Sequence, residues 1–137
     1  MLLPNIQESD TYRSFKLSLR SHTEFEVLYY YGDRWPAVHH ARMRTGCSKL
    51  KYDLFHNLHV VDSPACQCGY HHETAEHFLL YCPQWHEYRL PLFAVVQNIF
   101  PITTVNLLFG SREVNIEENK VVFSAVHRFI KNTERFA

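Results

Sequence analysis

The stretch that decides the fold reads Cys66-Gln67-Cys68-Gly69-Tyr70-His71-His72-Glu73-Thr74-Ala75-Glu76-His77-Phe78-Leu79-Leu80-Tyr81-Cys82-Pro83. Its candidate ligands follow the pattern C-x-C, eight residues, H, four residues, C. Three thiolates and one imidazole, from Cys66, Cys68, His77 and Cys82, make the closed tetrahedral set of a single structural zinc ion. The neighbouring residues suit that geometry. Gly69 allows the reversal that two cysteines on a tight turn require. Thr74 can cap a short helix that presents His77 from its middle. Pro83 disfavours helical geometry at Cys82, which lets that residue leave the helix and swing back. On an unbroken helix, at roughly 100° per residue, Cys82 would sit about 140° round from His77. The competing explanation is three reduced, partly buried cysteines beside a core histidine. A structural zinc site contributes on the order of 10 kcal/mol to folding, which matters for so loop-rich a segment.

Other potential ligands fit less well. His71 and His72 lie in the connecting loop and read as solvated. His86 follows the cluster and either supports it or is idle. Cys47 is distant in sequence and reads as buried or idle. The string from His72 to His77 nearly spells a zinc-hydrolase motif, but that motif needs its histidines one helical turn apart. Here they are five apart and point to different faces. The echo of a deaminase signature in Pro64-Ala65-Cys66 lacks the preceding H-x-E and has the wrong spacing. Four protein ligands also leave no open position for a catalytic water. Nucleotidyl transfer needs paired carboxylates, and Asp10, Asp33, Asp53 and Asp62 are all isolated. No glycine-rich phosphate loop occurs. An enzyme is therefore not expected.

Outward from the cluster, helical signals dominate. A first helix is expected after Ser9 or Asp10, with Tyr12, Phe15 and Leu19 on one face. Residues 25–32 read as extended, with Gly32-Asp33 as a turn. A helix from Pro36 should run to Thr45 and stop at Gly46. Another, capped by Ser48, should bury Leu50, Leu54 and Leu58. Asp62-Ser63-Pro64 marks a turn into the cysteines. Beyond them, Trp85, Tyr88, Leu92, Val95, Val96 and Ile99 keep a 3-and-4 spacing, in a helix restarted or kinked at Pro91. The last helix has the clearest start, a capping box of Asn115 and Glu118. Val122, Val126, Phe129 and Ile130 form its buried stripe. Glu117 and Glu118 near its start, with Lys131 and Arg135 near its end, complement the helix dipole. The fold class is mostly α, a small helical domain built around a structural zinc knuckle, with little sheet.

The 137 residues suit one domain, and 46% hydrophobic with 15% aromatic composition is globular. Fourteen Lys and Arg balance fourteen Asp and Glu, so no global field attracts a polyanion. No apolar run approaches the ~20 residues that span a bilayer. The N-terminus shows no signal-peptide pattern, so an intracellular setting, cytoplasm or nucleus, is expected. There clustered cysteines favour metal over disulfide. Local charge is less even. Residues 34–52 carry Arg34, Arg42, Arg44, Lys49 and Lys51 with no acid among them. Interleaved with Trp35 and Tyr52, these side chains are candidates for phosphate contact and base stacking. The alternative is an ordinary solvated helix face.

Three strings together resemble a known family. They are Arg42-Met43-Arg44-Thr45-Gly46, Asp62-Ser63-Pro64-Ala65-Cys66-Gln67-Cys68-Gly69, and Glu73-Thr74-Ala75-Glu76-His77-Phe78-Leu79-Leu80-Tyr81-Cys82-Pro83. In order and spacing they are similar to the zinc-binding tail of non-LTR (LINE-type, jockey-like) retrotransposon reverse transcriptases. Leu3-Pro4, Ser14-Phe15-Lys16, Tyr29-Tyr30-Tyr31-Gly32 and Leu107-Leu108-Phe109-Gly110 extend the likeness along the chain. The resemblance implies that residues 1–33 correspond to the end of a polymerase region and 34–137 to a helical zinc-binding tail. It implies Cys66, Cys68, His77 and Cys82 as zinc ligands, and Arg42, Arg44 and Lys49 as phosphate contacts to RNA or DNA. It also implies an upstream polymerase domain, whose catalytic aspartates have no counterpart here. The expected function is a non-catalytic, zinc-stabilised nucleic-acid-binding tail. Its rivals are a protein-docking module, using the aromatic residues 29–35, and an inactive transposon relic.

Overall fold

The computed structural model describes residues 31–137. The expected first helix, the extended segment up to residue 30 and most of the 1–33 unit lie outside the described residues. Five α-helices follow in order: α1 (Arg34–Thr45), α2 (Lys51–His56), α3 (His86–Gln97), α4 (Val105–Leu108) and α5 (Ile116–Thr133). Between α2 and α3 the chain makes a π-helical turn, His77–Tyr81, and a 3-10 turn, Pro83–Trp85. No strand occurs among the described residues. None of the described helices is long and apolar enough to cross a membrane.

The long helix α5 organises the rest, with α3 along one side and α1 and α4 along others. Its start is the expected capping box: Asn115 Oδ1 accepts from the Glu118 amide and Glu118 Oε1 accepts from the Asn115 amide. Val122, Val126, Phe129 and Ile130 are all buried. They meet Leu92 and Val96 of α3, Leu107 and Leu108 of α4, and Phe78, Leu79 and Leu80 of the π-helical turn in one core. The segment that carries His77 and Cys82 is thus part of the main core, not an appendage.

Several local expectations need correction. Helix α1 begins two residues earlier than Pro36, and ends as expected on Gly46, whose φ of 77° is the left-handed conformation glycine tolerates. Helix α2 is a six-residue piece whose N-cap position is Leu50, not Ser48. The Ser48 hydroxyl instead joins its own backbone amide in binding Asp53 and accepts from the Leu50 amide. Leu50 is fully buried, but Leu58 lies beyond the helix and is exposed. Helix α3 runs through Pro91 rather than restarting there. Arg135 lies past the end of α5 and serves a different partner, Glu73.

Candidate metal centre

The cluster is assembled from two short pieces of backbone. In the first, the Gly69 amide donates to the Cys66 carbonyl at 3.0 Å and the Cys66 amide to the Tyr70 carbonyl at 2.9 Å. Gly69 holds φ at 103°, which a side chain would resist. The resulting loop aims the Cys66 and Cys68 sulfurs the same way. In the second, Thr74 Oγ1 accepts from the His77 amide at 3.1 Å, as the sequence predicts. The π-helical turn then closes through the Cys82 amide to the His77 carbonyl at 2.7 Å. This i→i−5 bond widens the turn and brings residues five apart back together. Cys82 itself is extended (φ −61°, ψ 120°), as its position before Pro83 requires.

The four ligand atoms of Cys66, Cys68, His77 and Cys82 all lie within 4.8 Å of one another. Cys66 Sγ and Cys82 Sγ are 3.7 Å apart, and Cys68 Sγ is 3.3 Å from His77 Nε2. Two sulfurs each about 2.3 Å from a tetrahedral ion would be separated by about 3.8 Å. The cluster therefore has the dimensions of a Cys3His site that could hold a metal ion, and its donor set fits zinc. Cys66, His77 and Cys82 are buried, with Cys68 nearer solvent. Burial pushes the Cys66 thiol up to about 12 and raises that of Cys82. Cys68, opposed by desolvation, is nonetheless lowered by the hydrogen bonds its sulfur accepts. Burial likewise lowers His77, against the charge of Glu73, keeping the imidazole neutral as a ligand must be.

Two residues that sequence reasoning left without a role hold this centre in place. Arg89 of α3 is buried, and its guanidinium donates to the Leu79 carbonyl at 2.9 Å and the Phe78 carbonyl at 3.0 Å. These carbonyls belong to the π-helical turn. Glu73, also buried, accepts from the Lys51 amide at 2.9 Å and from Arg135 through both carboxylate oxygens. Its backbone binds Pro64 and Tyr52 as well, so the loop before His77 is tied to α2 and to the C-terminal segment. The one local clue to Arg89 is its arginine on the apolar face of a helix. Glu73 carries no such signal.

The remaining candidates disperse. His71, His72 and His86 are exposed and outside the cluster, with His72 lying against Tyr52 and His56. Cys47 is exposed rather than buried. Of the basic residues, Arg34, Arg42 and Lys49 are exposed and Lys51 is half-buried. Arg44 is the exception, at 4% exposure. It faces inward with His40, one turn earlier on the same side of α1, and its charge helps hold His40 and His127 neutral. Its guanidinium is not available to a phosphate on the surface. Comparison of the chain with protein-family models, curated proteins and solved structures finds no match.

Proposed function

We propose that this chain is a non-catalytic, zinc-stabilised module that binds RNA or DNA, similar to the tail of a LINE-type retrotransposon reverse transcriptase. The observation that carries the reading is the convergence of Cys66, Cys68, His77 and Cys82, whose ligand atoms all lie within 4.8 Å of one another. All four positions are protein ligands, so the ion's role is structural. Nucleic-acid binding is supported by the exposed Arg34, Arg42 and Lys49, with Lys51 beside them in sequence and no acid between residues 34 and 52. Trp35, 41% exposed, offers an aromatic face at the same end of α1 as Arg34. That same exposed ring, with Tyr31, also suits a second reading, docking onto an upstream polymerase domain.

Two measurements test this. Purified protein should carry one equivalent of zinc, and Cys82→Ser should lose both the metal and helical signal. Affinity for single-stranded RNA or DNA should fall steeply with salt, by about 0.7 in log–log slope per phosphate contact. The double change Arg42→Ala with Lys49→Ala should flatten the slope by about 1.4. Arg44 is left intact because its loss would disturb the interior. Salt-insensitive binding, or none, would favour docking or a relic.

A further inference from the structure

The ligand cluster opens on one side into a groove of about 520 Å³, walled by Cys68, Tyr70, Glu76, His77 and Tyr81 among others. That volume falls in the ordinary range of binding pockets, roughly 300–1,000 Å³. Two of its walls are exposed aromatic rings, Tyr70 at 49% and Tyr81 at 65%. Tyr70 is held by stacking on the His77 imidazole, with centroids 4.5 Å apart and planes 11° from parallel. The ring is therefore fixed before any partner arrives.

Charge decides what such a groove accepts. Residues 52–88 contain no lysine or arginine, but carry Asp53, Asp62, Glu73, Glu76 and Glu87. Asp53 and Glu73 are buried and used internally, by Ser48 and by Arg135. Glu76 is exposed on the groove wall. A divalent ion held by three thiolates and a neutral imidazole adds a net charge of −1 immediately behind it. Two guanidiniums come near the cluster, but Arg135 is paired with Glu73 and Arg89 is bound to the Phe78 and Leu79 carbonyls, and no lysine or arginine lines the groove, which therefore disfavours a phosphate backbone. Aromatic faces beside a carboxylate and a negative metal centre attract a cation. Of the protein cations, the planar guanidinium both stacks on tyrosine and pairs with a carboxylate through two hydrogen bonds.

We propose that the groove beside the metal cluster binds an arginine side chain of a partner protein, stacked against Tyr70 and Tyr81 and paired with Glu76. This rests on the zinc reading above and goes beyond it, giving the knuckle a protein ligand in a groove that no residue of the basic segment lines.

The test titrates zinc-loaded full chain with the peptide Ac-Gly-Ser-Arg-Ser-Gly-NH2 while amide NMR shifts are followed. Saturable shifts are expected at Gly69, Tyr70, Glu76 and Tyr81, weakening with salt. The citrulline peptide, isosteric but uncharged, should cause none. Glu76→Gln and Tyr81→Ala alter exposed side chains, so both should retain zinc and weaken peptide binding at least tenfold. Citrulline binding as well as arginine, or a ten-nucleotide oligodeoxythymidine moving the same resonances in place of the peptide, would overturn the proposal. Metal analysis of the same sample separates the two claims. A zinc-loaded chain that ignores the peptide sinks the arginine site alone, and a chain that cannot be loaded sinks the zinc reading and this proposal with it.

Discussion

Arg135 grips Glu73 across 62 residues of chain through two parallel hydrogen bonds, Nε to Oε2 at 2.8 Å and Nη2 to Oε1 at 2.6 Å. The same guanidinium reaches the Lys49 carbonyl at 3.3 Å. The Glu73 side chain is 5% exposed and that of Arg135 22%, so the pair is largely out of water. The partnership raises the Arg135 pKa, with the Glu73 hydrogen bond as the main cause. One ion pair thereby joins the C-terminal segment, the start of α2 and the loop that leads into His77.

Breaking this pair from the arginine side should be the costlier change. Arg135→Ala strands a buried carboxylate with only the Lys51 amide to bind it. It should destabilise the zinc-loaded protein by about 3 kcal/mol. Glu73→Gln keeps an acceptor for that amide and removes the buried charge, so it should cost less. Urea unfolding of the two variants at saturating zinc measures both. A loss below about 0.5 kcal/mol for Arg135→Ala would show that water replaces the guanidinium without penalty.

Arg89 should matter to the metal although it is no ligand. It binds the Phe78 and Leu79 carbonyls just after His77, fixing the wide turn that sets the distance from His77 to Cys82. Arg89→Met keeps most of the apolar volume and removes both donors. Zinc affinity, measured by competition with a chromogenic chelator, should drop about tenfold, the lower end of what loss of a ligand-supporting contact produces. Unchanged affinity would mean that the turn holds its shape by packing alone.

The features legible in sequence are those set by neighbours along the chain. Gly69, Thr74 and Pro83 each act within a few residues, and together they announce the two-piece ligand loop. Asn115 and Glu118 likewise announce the start of α5. What stayed hidden depends on which faces meet in three dimensions. Arg44 reads as a surface cation because its neighbours Arg42 and Thr45 are polar. It is interior because the side of α1 that carries His40 and Arg44 is also buried. The Ser48 cap was plausible by residue type, but its hydroxyl is claimed by Asp53 at 2.6 Å. The Glu73–Arg135 contact joins residues too far apart for any local pattern to register.

The capping box offers a cleaner local test. Asn115→Ala removes the acceptor for the Glu118 amide at the exposed start of α5 and touches nothing in the metal centre. It should cost about 1 kcal/mol in chemical denaturation and leave zinc stoichiometry at one. A change in zinc content would mean that α5 and the ligand cluster are more tightly coupled than the packing indicates.

Acid sensitivity should come from a buried pair of imidazoles. His40 Nε2 lies 2.8 Å from the Leu108 carbonyl, which can only accept, so this nitrogen carries the proton. His40 Nδ1 is then an acceptor, and His127 Nε2, 3.1 Å away, donates to it. His40 can gain a proton only at Nδ1, which would break the bond from His127, whereas His127 would take one at its own Nδ1 and keep that bond. Burial first, then the neighbouring His127 and Arg44, hold His40 well below its ordinary value. Burial and Arg44, against the pull of Asp33, lower His127 to about 4. Below the ordinary histidine value of 6.5 the unfolded chain takes up protons that the native chain refuses, so stability is full above that pH and declines beneath it. His127 alone should account for on the order of 3 kcal/mol between pH 6.5 and 4. His127→Gln should cost stability at pH 7.5 yet flatten the decline by about one proton. The comparison with the unaltered chain cancels the acid sensitivity that both share at the metal centre. Unfolding free energies of the two proteins from pH 7.5 to 4.5 provide the measurement, and parallel curves would exclude the pair as the source.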